Sequence, residues 1–376
     1  MQTSMLSVID NVAPQPLLAQ ALRLNEALSF LGSSLSKEDA TMLRQLKEKP
    51  LSQETSKMIQ SILDPYCLAM VDINPETRVK VARGPANAKL VQGGWTSFLI
   101  KVHNDAGVTA QLEVQSSNAA PTLYISSYQP RALQKNLLTE GQVANRFLEM
   151  QMYTGRPLMQ NLSGLNLEYA VLQIYSKDAG QREVEMGFNI GQGTQDIGFR
   201  NTINILFNIK PAVKVVLRVR DDDGSPTMAS FTITDGIERF PNDSTTDYRL
   251  TLAERNYSNM TVGGKQIASK ELTGIYPLPS RRVAAVDEYP DFFFQPQVYR
   301  SDGEHVLLPA GTYNVSFTRG PEYITQSKQI VVPQGVDSIE QTFRLKRWVN
   351  MTKVGWYSAD HHVHAAGCSH YESPQE

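Results

Sequence analysis

The chain has 376 residues, 41% hydrophobic and 20% charged, with 36 basic against 38 acidic side chains and a formal net charge of −2. This is an ordinary globular composition with length for two or three domains, and the charges are mixed along the chain with no Lys/Arg block. Nucleic acid and anionic membrane surfaces are therefore excluded as expected partners, and no apolar run approaches the roughly 18 residues of a membrane span.

Cys67 and Cys368 stand far apart and form no Cys-x-x-Cys pair, so two free thiols are expected. Met1 to Pro14 contains no basic n-region and no apolar h-region, so no secretory signal is legible. Localisation stays open between a protein that remains inside and an exported one whose true start lies upstream. The Asn-x-Ser/Thr triplets, for example at Asn161 and Asn314, matter only in the second case.

From about Gln15 to Leu63 apolar residues recur at three- and four-residue intervals (Leu18, Ala21, Leu22, Leu28, Leu31), the period of an amphipathic helix. Ser36 before Asp39 and Ser52 before Met58, Ile59 and Ile62 predict two more helices, and Pro65 stops the last. Residues 1–67 are read as a helical segment that packs on the domain behind it, mediates self-association, or is the remainder of a longer helical region.

After Pro65 the period changes to two. Phe98, Ile100 and Val102 precede a turn at Asn104–Gly107 and then Ala110, Leu112 and Val114; Ala170, Leu172 and Ile174 precede a turn at Lys177–Gly180 and then Val184, Met186 and Phe188. Both pairs predict β-hairpins, and residues 68–208 an antiparallel β-sandwich. His103 falls opposite the apolar stripe and reads as solvent-facing rather than as a ligand.

A second β-sandwich is predicted for 209–347. Val213, Val215, Leu217 and Val219 lead into the turn Asp221-Asp-Asp-Gly224-Ser-Pro226 and then Ala229, Phe231 and Ile233; later strands cover Val306–Leu308, Thr312–Thr318, Lys328–Val332 and Ile339–Leu345. Three adjacent aspartates suggest calcium, but the alternate-position ligands and the closing Glu of a calcium loop are missing, so a plain turn is the reading. The irregular stretch 240–300 carries Phe292-Phe293-Phe294, either a docking or core cluster or a stacking platform for a sugar.

Four of the six histidines lie in the last stretch, Trp356 to Tyr371. Asp360, His362 and His364 are two apart, so on a strand they share one face, and imidazole is the commonest transition-metal ligand. Cys368 and His370 follow closely and either complete a distorted site or belong to a loop beside it. Two imidazoles and a carboxylate do not close a catalytic site, and Glu376 ends the sequence before further ligands.

Leu308-Pro-Ala-Gly311-Thr-Tyr313-Asn-Val315, with Asp222-Asp-Gly224-Ser-Pro-Thr227, resembles the carboxypeptidase-regulatory-like family of transthyretin-type β-sandwiches. That resemblance implies a non-catalytic supporting role for 209–347. Gly355-Trp-Tyr-Ser-Ala-Asp360-His-His362-Val-His364 resembles the opening strand of the CehA/McbA family, in the polymerase and histidinol phosphatase (PHP) superfamily of metallohydrolases. The resemblance implies that His362 and His364 ligate a divalent metal (zinc, manganese or iron), that Asp360 is the motif's acidic residue, and that His361 points away. Ala359 replaces the family's usual Gly.

The sequence thus predicts a mainly β chain: two antiparallel β-sandwiches preceded by helices, with 348–376 as the first strand of a truncated PHP-type βα barrel. The expected function is an accessory region plus the first metal motif of a metal-dependent hydrolase, inactive as this fragment, with the catalytic barrel as its missing partner. The alternatives are a complete non-enzymatic β-sandwich protein for carbohydrate binding or adhesion, and an assembly in which the sandwiches are spacers and the helices self-associate.

Overall fold

The computed structural model describes residues 6–119, 144–191, 201–234, 261–262, 265–266, 297–357 and 359. Helix α1 (Pro14–Phe30) begins on proline, whose missing N–H is no loss at a helix start, and buries Leu17, Leu18, Ala21, Leu24, Ala27 and Leu28 along one stripe. Helix α2 (Lys37–Gln45) is capped by Ser36, whose hydroxyl oxygen accepts from the Asp39 N–H at 3.0 Å. Helix α3 (Gln53–Leu63) opens with Thr55 Oγ1 accepting from the Ser52 N–H at 3.1 Å. Such caps stabilise by about 1 kcal/mol each.

The strands of the first unit are β1 (Cys67–Ile73), β2 (Val79–Arg83), β3 (Lys89–Val91), β4 (Trp95–Asn104), β5 (Glu113–Gln115), β6 (Leu148–Met152), β7 (Leu167–Ser176), β8 (Gly180–Asn189) and β9 (Thr202–Lys210). They form a five-stranded sheet, β2-β1-β4-β7-β6, facing a four-stranded one, β3-β9-β8-β5. Phe98, Ile100, Leu172, Ile174, Val184, Phe188 and Phe207 fill the space between them. The helices cover the other face of the five-stranded sheet, where Met70, Leu99, Tyr169 and Val171 join Leu24, Leu28, Ile59 and Leu63 in one core. Of the three options open for the helical segment, packing on the following domain is what the described residues display, and the layers run helices, sheet, sheet.

The second unit comprises β10 (Val213–Arg220), β11 (Met228–Thr234), β14 (Val298–Ser301), β15 (His305–Leu308), β16 (Gly311–Thr318), β17 (Gln326–Val332) and β18 (Ser338–Arg344); between β11 and β14 a two-stranded ribbon joins β12 (Thr261–Val262) to β13 (Lys265–Gln266). A three-stranded sheet, β15-β10-β18, faces a four-stranded one, β14-β11-β16-β17. Phe231, Phe317 and Phe343 meet in its core, with ring centroids 5.0 Å apart for both edge-on pairs to Phe343. Tyr313 is buried and its hydroxyl donates to the Pro309 carbonyl at 2.7 Å, while a Cβ on Gly311 would lie 3.3 Å from that hydroxyl. The Pro-x-Gly-x-Tyr stretch is thus a turn latched by its own tyrosine. At the junction of the units, Gln92 Oε1 accepts from the Ala212 N–H at 3.2 Å.

Two features differ from the sequence reading. Most pairs are antiparallel, but β1 with β4, β3 with β9 and β10 with β18 are parallel. More consequentially, the predicted hairpins are crossings. The Asn104 turn forms, with Asn104 Oδ1 accepting from the Val108 N–H at 3.0 Å, yet β4 and β5 belong to opposite sheets, as do β7 and β8, and as do β10 and β11 beyond a single bridge between Arg220 and Pro226. Alternation marks which side chains face the core, and a turn between two inward-facing strands satisfies it equally by pairing them or by carrying the chain across the sandwich.

Candidate functional site

The approach to the terminal motif is built on β18. Its Phe343 and the following Leu345 are the last buried side chains before the chain leaves the second sandwich. Arg347 then meets the Asp221 turn. Its Nη2 lies 3.0 Å and its Nε 3.3 Å from the Asp221 carboxylate, its Nη1 lies 2.8 Å from Glu322 Oε2, and its guanidinium stacks 4.4 Å from the Tyr323 ring centre. The Tyr323 hydroxyl donates to Asp221 at 2.9 Å, and Arg319 Nη1 adds a contact at 3.2 Å. Burial alone would raise the Asp221 carboxyl, but the hydrogen bonds from Arg347, the Asp222 N–H and Tyr323 outweigh it and hold the group below its ordinary value.

Beyond Arg347, the Trp348 N–H donates to the Glu322 carbonyl at 3.1 Å and its indole N–H to the Pro321 carbonyl at 2.6 Å. A 3-10 turn over Met351–Val354 follows, closed by Gly355 at φ 81°, where only glycine is relaxed. Trp348, Val354, Trp356 and Tyr357 are all exposed, the last at 82%. Asp360, His361, His362, His364, Cys368 and His370 lie outside the described residues, as does Phe292-Phe293-Phe294. Among the described residues no group of three or more His, Cys, Asp or Glu side chains is placed to hold a metal ion.

The other residues singled out by the sequence are engaged within the protein. Asp221 is taken up by arginines, and Asp223 Oδ1 accepts from both the Ser225 N–H at 2.9 Å and its hydroxyl at 2.6 Å, so the triple-aspartate turn is held by its own partners. His103 is not simply solvent-facing: its ring nitrogens lie 3.0 Å from Asp72 and 3.1 Å from Asp105, and its side chain is 21% exposed. The carboxylates sit one on each ring nitrogen instead of converging on a common point, unlike a ligand set.

Comparison with known proteins adds little to this geometry. No protein-family model matches the sequence, and no curated protein does. One solved structure, the Bacillus anthracis TIE protein, is similar at 12% identity over 92% of this chain, with a TM-score of 0.17. The match covers 56% of that protein, and a TM-score so low carries no argument about shared architecture.

Two groupings had no clear signal in the sequence. Lys101, fully buried on the sheet face that alternation assigned to solvent, donates to Asp64 at 2.8 Å, Gln60 at 3.0 Å and the Ser7 carbonyl at 2.8 Å. The Tyr169 hydroxyl completes the Asp64 shell at 2.8 Å, and burial pushes the phenol and the neighbouring Cys67 thiol well up. The second grouping lines a cavity of about 300 Å³ between α1 and the 153–165 loop, with Gln20, Arg23, Tyr153 and Glu168 on its wall. Burial pushes the Glu168 carboxyl up, but the Ser163 N–H donates to it at 3.0 Å and Gln20 Oε1 accepts from the Tyr169 N–H at 2.9 Å. These contacts tie the helix and loop to β7.

Proposed function

We propose that the two sandwiches are a non-catalytic accessory region and that the segment from Trp348 onward carries the first metal-binding motif of a PHP-type, metal-dependent hydrolase resembling the CehA/McbA family. One observation carries this reading: Asp360, His362 and His364 recur at every second residue directly after the second sandwich. Two imidazoles and a carboxylate suit zinc, manganese or iron, and His362 and His364 would hold the ion with Asp360 beside them. A metal of this kind supplies Lewis acidity and a bound water of lowered pKa. The buried tyrosine latch at Tyr313 and the engaged Asp221 and Asp223 of the turn support an accessory role, since these side chains are occupied in holding loops.

The test is the metal content of the purified chain after exhaustive dialysis, measured beside a His362→Ala/His364→Ala variant. More zinc, manganese or iron is expected in the parent than in the variant; equal content defeats ligation by His362 and His364 in this chain. A second reading, carbohydrate binding, is favoured by the exposed Trp348 and Trp356 just beyond the second sandwich. Glycan affinity that survives Trp348→Ala and Trp356→Ala together would remove it.

A further inference from the structure

Order in a polypeptide normally ends where burial ends, because fixing each backbone residue costs roughly 1–2 kcal/mol that buried apolar surface must offset. Among the described residues the last buried side chain is Leu345, and none of residues 346–357 is buried. The backbone nevertheless continues through a bridge between Tyr323 and Arg347, a 3-10 turn and a closing left-handed glycine. What holds it is polar. The Asp221 carboxylate, only 9% exposed, receives Arg347, Arg319 and Tyr323 at once, so the β10–β11 turn, the loop after β16 and the chain after β18 meet at one anion. Glu322 repeats the pattern outward, taking Arg347 at 2.8 Å and the Met351 N–H at 3.4 Å.

Isolated surface ion pairs contribute little, but a planar guanidinium gripped on two edges by different carboxylates and on one face by an aromatic ring has its orientation set in every direction. We propose that the Asp221 cluster is a positioning device that fixes the direction in which the chain leaves the second sandwich. The sandwich then acts as a rigid mount for the segment carrying Asp360, His362 and His364, in contrast to a spacer on a loose tether. The purpose assigned to the mount rests on the metal reading above; the fixed exit does not.

The test uses the full chain with Cys368→Ser, leaving Cys67 buried, and spin labels at Val331→Cys on the exposed edge of β17 and at Tyr357→Cys beyond the 3-10 turn. Pulsed dipolar spectroscopy is expected to give one narrow distance distribution in the parent. Asp221→Asn and Arg347→Gln should each broaden it at least twofold, and Arg347→Lys, which keeps the charge without the fork, should lie between. Circular dichroism confirms that each variant keeps its sheets; if the first two fail to fold, Glu322→Gln, which weakens only the outer contacts, decides by the same criterion. A broad distribution in the parent, or an unchanged one in the folded variants, overturns the proposal. Metal content measured on parallel samples separates the two readings. A narrow parent distribution without bound metal removes metal ligation by this chain and leaves the mount, whereas bound metal with unbroadened variants removes the mount alone.

Discussion

A lysine is fully buried in the first unit. Lys101 has no exposed side-chain surface, and its ammonium is compensated by Asp64, Gln60 and the Ser7 carbonyl, which come from the helical layer and the segment preceding it. Removing one member of a buried pair strands the other, at a typical cost of about 3–5 kcal/mol, whereas replacing both with apolar groups is often nearly neutral. Asp64→Asn should therefore destabilise by about 3–5 kcal/mol in urea denaturation, and adding Lys101→Met should recover much of that loss. A sum of independent effects in the double variant would disprove the coupling. Asp221 is the corresponding residue of the second unit, and its pH dependence has a definite sign. Its carboxyl is held below the ordinary 3.8 in the folded protein, so its stabilisation is complete above that value and is lost as pH falls through the lowered one. The melting temperature of the parent should exceed that of Asp221→Asn at neutral pH, with the gap closing as the pH drops below 3.8.

At the level of elements, glycine placement shows how tightly β1 and β2 are joined. The Gly84 N–H donates to the Leu68 carbonyl at 2.9 Å, and a Cβ at that position would sit 2.2 Å from the Cys67 carbonyl oxygen. Backbone cannot give way as a flexible side chain does, so Gly84→Ala should cost at least about 1–3 kcal/mol, read as a lowered urea midpoint with unchanged slope. The strands themselves were legible in the sequence because inward residues such as Phe98, Ile100 and Val102 alternate without interruption. Their partners were not. The turns at Asn104, Lys177 and Asp221 carry hairpin chemistry, yet each delivers the chain to the facing sheet, a choice made by long-range pairing such as β10 with β18 that no local pattern records. For the same reason the Asp221 cluster was half visible: the aspartates stood out as a turn, but Arg319, Tyr323 and Arg347 lie about a hundred residues away and have no shared motif. Lys101 was missed because a polar residue in an alternating strand reads as solvent-facing until a helical layer is known to cover it.

Across the whole molecule, the two units differ in how self-sufficient their cores are. The second sandwich closes on itself around Phe231, Phe317 and Phe343, with both its sheets contributing to a single core. The first has two cores sharing one sheet: β1, β4 and β7 are apolar on both faces, with Cys67, Met70, Leu99, Tyr169 and Val171 buried under the helices. Deleting residues 1–66 would expose that face as one contiguous apolar patch together with the uncompensated Lys101, a combination that favours aggregation. A chain beginning at Cys67 is thus expected to be recovered mainly in inclusion bodies, while residues 209–357 expressed alone should remain soluble and melt in one cooperative transition by circular dichroism. Soluble, cooperatively folded protein from the helix-deleted chain would refute the shared-core argument and make the helical layer a dispensable attachment.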